Sequence, residues 1–158
     1  MRSIIPLAVA LAACSAPPPR DRTVAVSPDD SAMAVAIRQA RRTLPEFLAG
    51  LAEPPSGAPV AVKVRLEDDD EVEFVWLTRP EYRDGMCHGR INIEVQHVST
   101  YKEGDFISVH ADSIADWMMV RNDTMLGGFS IRLLAPQMTA AERAQLPFHM
   151  PPDSAWAP

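Results

Sequence analysis

The sequence predicts an α+β domain: N-terminal helices packed on a strongly curved antiparallel sheet of five or six strands, followed by a short C-terminal helix. Three observations carry this expectation. Apolar residues recur at helical spacing from Met33 to Leu51. They give way to period-two alternation between Val60 and Val95. The stretch Gly104 to Leu134, GDFISVHADSIADWMMVRNDTMLGGFSIRLL, is dense in both core formers and turn formers, and the chain is organised around it. At 158 residues and 47% hydrophobic, the chain suits one domain with extensions.

The first thirteen residues read as a signal peptide. Arg2 supplies a positive start, Ile4 to Ala13 is apolar and uncharged, and small residues follow. That run is too short for a bilayer, which needs about 20 residues. Its end, Leu11-Ala12-Ala13-Cys14, resembles the lipobox of bacterial lipoproteins, in which cleavage precedes the cysteine and the cysteine carries the lipid. The resemblance implies a membrane anchor on Cys14. Ser15, rather than Asp, after the cysteine resembles the sorting pattern for the outer membrane, with the domain facing the periplasm. Residues 14–30 contain Pro17-Pro18-Pro19 and no periodicity, as an extended tether would.

Removing residues 1–13 takes away Arg2 and leaves 14 basic against 21 acidic residues, a net charge of −7. Such a surface repels nucleic acid, so nucleic-acid binding is not expected. With Cys14 acylated, Cys87 is the one remaining thiol, and no disulfide framework exists.

A single domain is expected over residues 31–148. Asp29, Asp30 and Ser31 are helix-starting residues, and Met33, Ile37, Ala40 and Leu44 follow at helical spacing. Pro45 removes a helical hydrogen bond, so it is read as the first turn of a second helix with Phe47, Leu48 and Leu51 on its apolar face. Val60 to Thr78 reads as a hairpin with Asp68-Asp69-Asp70 at its tip. The predicted register sets Leu66 opposite Val72, Val64 opposite Phe74, Val62 opposite Trp76 and Arg65 opposite Glu73. The acidic run Glu67 to Glu71 lacks the glycine and later glutamate of an EF-hand loop and reads as a solvated tip.

Cys87, Gly89, Ile91, Ile93 and Val95 form the inward face of a third strand, and Ile107, Val109 and Ala111 that of a fourth. Trp117 to Val120 makes a fifth, with a turn at Asn122-Asp123. Phe129 to Leu134 is read as a sixth strand in preference to a helix. Thr139-Ala140-Ala141-Glu142 has capping-box form and opens the last helix. Residues 149–158 read as a frayed tail.

Several pieces resemble the YegJ-like family of uncharacterised bacterial domains, domain of unknown function 2314. They are Ala40-Arg41, Thr43-Leu44 and Phe47, Val62-Lys63-Val64, Phe74-Val75-Trp76-Leu77, Gly89, Gly104-Asp105, Ile114 to Trp117, and Gly127-Gly128-Phe129-Ser130-Ile131-Arg132. The resemblance spans about residues 33–146. It implies a compact α+β domain and carries no activity to transfer.

The candidate ligand-binding set is Asp116, Trp117, Gly127, Gly128 and Arg132. A glycine-lined corner lets a ligand approach the backbone, with Trp117 as platform and Arg132 as anion clamp. The structural reading of the same residues is favoured: Trp117 plugs the core, the glycines supply positive φ, and Asp116 pairs with Arg132. Met118, Met119 and Met125 read as core. Cys87 and His88 are strand neighbours pointing to opposite faces, so that His cannot activate that Cys. His110 and Asp112 share a face, with His88 and His97 on other segments, but no tight ligand cluster is written in the chain, and no metal or cofactor is expected. Ser130 with His110 and Asp116 lacks a nucleophile elbow. The favoured function is a non-enzymatic envelope lipoprotein whose domain binds an envelope protein partner or stabilises the envelope. The alternative is a hydrolase acting on an envelope polymer through Asp112, Asp116 or His110.

Overall fold

The computed structural model describes residues 31–51, 57–68, 71–144, 146, 148 and 149. The expected signal peptide, Cys14, the tether over 14–30, the hairpin tip at Asp69 and Asp70, and residues 150–158 lie outside them.

One helix, α1 (Ser31–Gly50), opens the domain. Two helices meeting at Pro45 were expected, and the structure corrects this: Pro45 sits inside a single helix. Met33, Ala36, Ala40 and Phe47 form one buried stripe running past the proline. Burying that stripe as a unit outweighs the hydrogen bond that Pro45 removes. Neighbouring carbonyls gain side-chain donors. Thr43 Oγ1 donates to Gln39 O at 3.0 Å, and Trp117 Nε1 donates to Ala40 O at 3.1 Å.

Six strands follow: β1 (Val60–Asp68), β2 (Glu71–Arg83), β3 (Met86–Ile91), β4 (Phe106–His110), β5 (Ile114–Arg121) and β6 (Thr124–Gly127). They form one antiparallel sheet in the order β4-β3-β2-β1-β5-β6. Only a short 3-10 turn, Ala111–Ser113, joins edge strand β4 to β5, four places away in that order. In a flat sheet four steps are about 19 Å. The four residues from His110 to Ile114 reach at most about 14 Å. The sheet is therefore strongly curved, as the fold class requires. Part of the bend falls within β2, whose pairing to β3 shifts between Thr78 and Glu81, where Arg79 has φ 50°.

The first hairpin differs from the expected register by one residue. Val64 lies opposite Val75, Leu66 opposite Glu73, Arg65 opposite Phe74 and Val62 opposite Leu77. Val75 and Leu77 are therefore the β2 residues that face α1, and Glu73 is buried with them. The misreading has a physical cause. β2 is apolar on both faces, Val72-Phe74-Trp76 on one and Val75-Leu77 on the other, so alternation alone does not choose between them. A buried acceptor decides it. Glu73 takes the backbone N–H groups of Gln96 and His97 at 2.9 and 2.8 Å, which anchors the loop after β3 to the core. That loop begins at Asn92, so β3 stops at Ile91 instead of running to Val95.

Phe129–Leu134 is a helix, α2, not the expected strand. The sixth strand is Thr124–Gly127 instead. Capping-box geometry is present at α3 (Ala140–Ala144): Thr139 N donates to Glu142 Oε2 at 2.7 Å and Glu142 N to Thr139 Oγ1 at 3.2 Å. His149, first residue of the expected tail, is held against β6, where Met125 N donates to His149 O and His149 N to Asp123 O.

The main core lies between α1 and the concave side of the sheet, with Val62, Val64, Val75, Leu77, Ile91 and Ile114 at its centre. A smaller cluster, Ala61, Met118, Val120 and Met125, lies on the other face under Trp76, Ile131 and Phe148. β5 is covered on both sides, which is why seven of its eight residues are buried.

Candidate functional site

β5 sends alternate side chains to opposite layers, and this splits the Asp116-Trp117 pair between them. Trp117 points to α1. Its indole stacks on Phe47 with centroids 4.9 Å apart and meets Phe129 edge-on at 6.1 Å. Its Nε1 donates to both Ala40 O and Thr43 Oγ1. Trp117 is 5% exposed, and its ring ties the helix to the sheet.

Asp116 points to the opposite layer and is 2% exposed. Its Oδ1 accepts from its neighbour Trp117 N at 2.8 Å and from Phe129 N at 3.2 Å. Its Oδ2 accepts from Ser130 N and Ser130 Oγ, both at 2.7 Å. Phe129 and Ser130 are the first two residues of α2, whose own N-cap, Gly128, has no side chain to offer. Asp116 therefore caps α2 from thirteen residues upstream, satisfying two of its orphan N–H groups with a negative charge at the helix start. This explains why residues 129–134 coil. Their short apolar run is compatible with either period, and the carboxylate selects the helix.

The expected Asp116–Arg132 pair is not formed. All four donors to Asp116 are groups of Trp117, Phe129 and Ser130, while Arg132 Nη2 donates to Met125 O at 3.1 Å and its guanidinium lies 5.9 Å from the Phe129 ring. Asp116 instead fixes the Gly127-Gly128 turn, which follows it in the chain.

That turn is filled by protein. Gly127 and Gly128 have φ of 69° and 65°, and Gly128 N donates to Trp117 O at 2.7 Å. A Cβ on Gly127 would run into the Trp117 carbonyl oxygen and lie 2.5 Å from indole Cε3. One on Gly128 would lie 2.6 Å from Met125 Sδ. The glycines admit the protein's own indole and thioether, in the space through which a ligand would approach the backbone.

Lys63, which alternates with Val62 and Val64, completes the Asp116 layer. It is the cross-strand neighbour of both Trp76 and Asp116, and its Nζ lies 5.9 Å from the Trp76 ring. Burial lowers the Lys63 pKa, and the nearby Asp116 charge opposes that shift. Burial likewise pushes the Asp116 pKa up, against the lowering effect of its bonds to Ser130, Trp117 and Phe129. Glu73 was missed, because the shifted register had placed it outward beside Arg65.

The other candidates lie elsewhere. His110 Nδ1 and Asp112 Oδ2 are 3.1 Å apart on the exposed end of β4, their side chains 61% and 90% accessible. They are not brought to Asp116 or Ser130, which are buried where the start of α2 meets β5. His88 Nδ1 pairs with Ser108 Oγ at 2.7 Å on the outer face, and Cys87 points the other way into the core. Burial raises the Cys87 thiol to about 11, so it stays protonated and unreactive at neutral pH. A small open cleft lies at the β5–β6 turn, lined by Asp123, Arg143, Phe148 and His149.

Chemically, each Asp116 carboxylate oxygen is engaged twice, by the backbone N–H groups of Trp117, Phe129 and Ser130 and by the Ser130 hydroxyl, whose proton goes to Oδ2. The chain is similar to the uncharacterized protein YegJ of Escherichia coli K12, 31% identical over 103 residues covering 65% of this chain and 67% of that protein. It is also similar to a putative ankyrin repeat protein of Neisseria meningitidis serogroup B, 35% identical over 91 residues, which cover 57% of this chain and 33% of the relative. No solved structure matches. Residues 30–150 match the family model described as uncharacterized protein conserved in bacteria, and the chain belongs to that family, DUF2314.

Proposed function

We propose that the protein is an outer-membrane lipoprotein whose α+β domain acts without catalysis, as a binding or structural module on the periplasmic side. The observation that carries the non-enzymatic part is the inward engagement of Asp116. The buried Asp116 carboxylate is satisfied by the α2 N-terminus and the Ser130 hydroxyl, and Trp117 is closed between Phe47 and Phe129. Anchoring is supported by the Leu11-Ala12-Ala13-Cys14 sequence and by the proline-rich residues that follow, which suit a spacer between lipid and domain.

Fractionation of cells expressing the full chain tests the anchor. The wild type is expected in the detergent-extractable outer-membrane fraction. Cys14→Ala is expected in the soluble fraction or as an unprocessed precursor. Processed Cys14→Ala protein that still fractionates with the outer membrane would refute the lipid anchor. Crosslinking the anchored protein in whole cells then reads the binding role, which predicts defined adducts with an envelope protein.

A further inference from the structure

The two edges of the sheet are treated differently. Along β6 the chain's own His149 forms a bridge beside Thr124. At the other edge, β4 presents Phe106, Ser108 and His110 as exposed residues, with Phe106 56% accessible. The hydrogen bonds flanking β4 fix its ladder. Ile91 N donates to Asp105 O, and Ala111 N donates to Gly85 O. Asp105, Ile107, Val109 and Ala111 therefore point their backbone groups toward β3. By strict alternation the N–H and C=O groups of Phe106, Ser108 and His110 point off the edge. Such a row templates further pairing, and β4 itself has no lysine, no proline and no bulge among the described residues.

The sequence of the edge says what it pairs with. Phe106-Ile107-Ser108-Val109-His110 is a pseudo-palindrome about Ser108. Laid antiparallel on itself, it sets Ser108 opposite Ser108, Phe106 opposite His110, and Ile107 opposite Val109. The first two kinds of pair are those whose backbone groups point outward, so they fall on the hydrogen-bonded positions. Ring meets ring on the outer face. On the inner face Ile107 and Val109, both half-buried against the main core, continue it across the seam. A one-residue slip would set outward-pointing backbone groups against inward-pointing ones and lose the ladder.

We propose that β4 is a self-association edge, at which two copies of this chain pair antiparallel across a two-fold axis through Ser108 to form a continuous twelve-stranded sheet, the six strands of each copy taken together. The interface is isologous, so it closes at two copies.

Sedimentation of the full-length chain in detergent, with and without substitutions at the axis, tests this. Ser108→Pro removes the outward N–H that the fold itself does not use, a change tolerated on an edge strand. Ser108→Lys keeps the N–H and sets like charges opposite each other at the axis. Dimer is expected for the wild type at about 100 μM, with the dissociation constant raised about tenfold or more in each variant. Oxidised Ser108→Cys is expected to give a covalent dimer, because opposed residues of a hydrogen-bonded pair lie about 5.5 Å apart, within disulfide reach. Glu81→Cys, on β2, is expected not to. Wild-type monomer at that concentration would leave the edge to an extended segment of another protein and overturn the proposal. So would a dimer unaffected by both Ser108→Pro and Ser108→Lys.

Discussion

Ser130 gives both its backbone N–H and its hydroxyl proton to a single oxygen of Asp116, each at 2.7 Å, across fourteen residues of chain. This joins the start of α2 to the middle of β5 and folds the Gly127-Gly128 turn back against Trp117. The constellation that looked most like a ligand site is in this way the joint between helix and sheet.

Asp116 makes stability depend on pH. Its pKa is raised in the folded protein above the ordinary 3.8, with burial as the first cause. A raised carboxyl favours the folded state most when protonated. That contribution is complete below the unfolded value and is lost as pH rises through the folded value. Urea unfolding of wild type and Asp116→Asn from pH 3 upward is expected to show the wild type losing stability relative to the variant across this window, then a constant difference. A difference that instead grew in the wild type's favour with rising pH would contradict the buried-carboxyl account.

Trp117→Ala removes the stack on Phe47, the edge contact to Phe129 and the donor to Ala40 O together. A buried aromatic truncated in this way costs about 3–5 kcal/mol. Domains of this size are stable by about 5–15 kcal/mol, so the loss is expected as a large drop in melting temperature. A melting temperature changed by only a degree or two would mean that the ring is a ligand platform and not part of the core.

Glu73 tests the corrected register. Glu73→Ala leaves the Gln96 and His97 N–H groups without their acceptor and is expected to cost about 2–4 kcal/mol. Hydrogen exchange separates this from general destabilisation. Amides 96–98 are expected to lose protection ahead of β1 and β5. Were Glu73 on the outer face beside Arg65, the substitution would leave stability and exchange nearly unchanged.

Much of the fold was legible in the sequence because periodicity reports which side of an element meets the core. Met33, Ala40 and Phe47 marked the helical stripe, Cys87, Gly89 and Ile91 the inward face of β3, Thr139 and Glu142 the last cap, and Trp117 a core plug. The positive-φ pair Asn122-Asp123, at 50° and 59°, falls where those residue types predict a tight hairpin turn.

What the sequence alone determined, then, is the α+β class, the strand-rich middle and the burial of Trp117, since these follow from one-dimensional patterns of apolar residues and turn formers. Only the tertiary structure decided the continuity of α1 through Pro45, the register of β1 on β2, the helical state of residues 129–134 and the partners of Asp116. Each of these turns on a contact between distant segments. A stripe packed on both sides of Pro45 holds the helix together. Backbone N–H groups from the loop after β3 draw Glu73 inward and set the register. A carboxylate on β5 caps a helix that its own residues leave uncapped. Local pattern is degenerate at all of these places, because a strand that is apolar on both faces, or a six-residue apolar run, fits two conformations equally well, and the choice falls to whichever one satisfies a buried polar group.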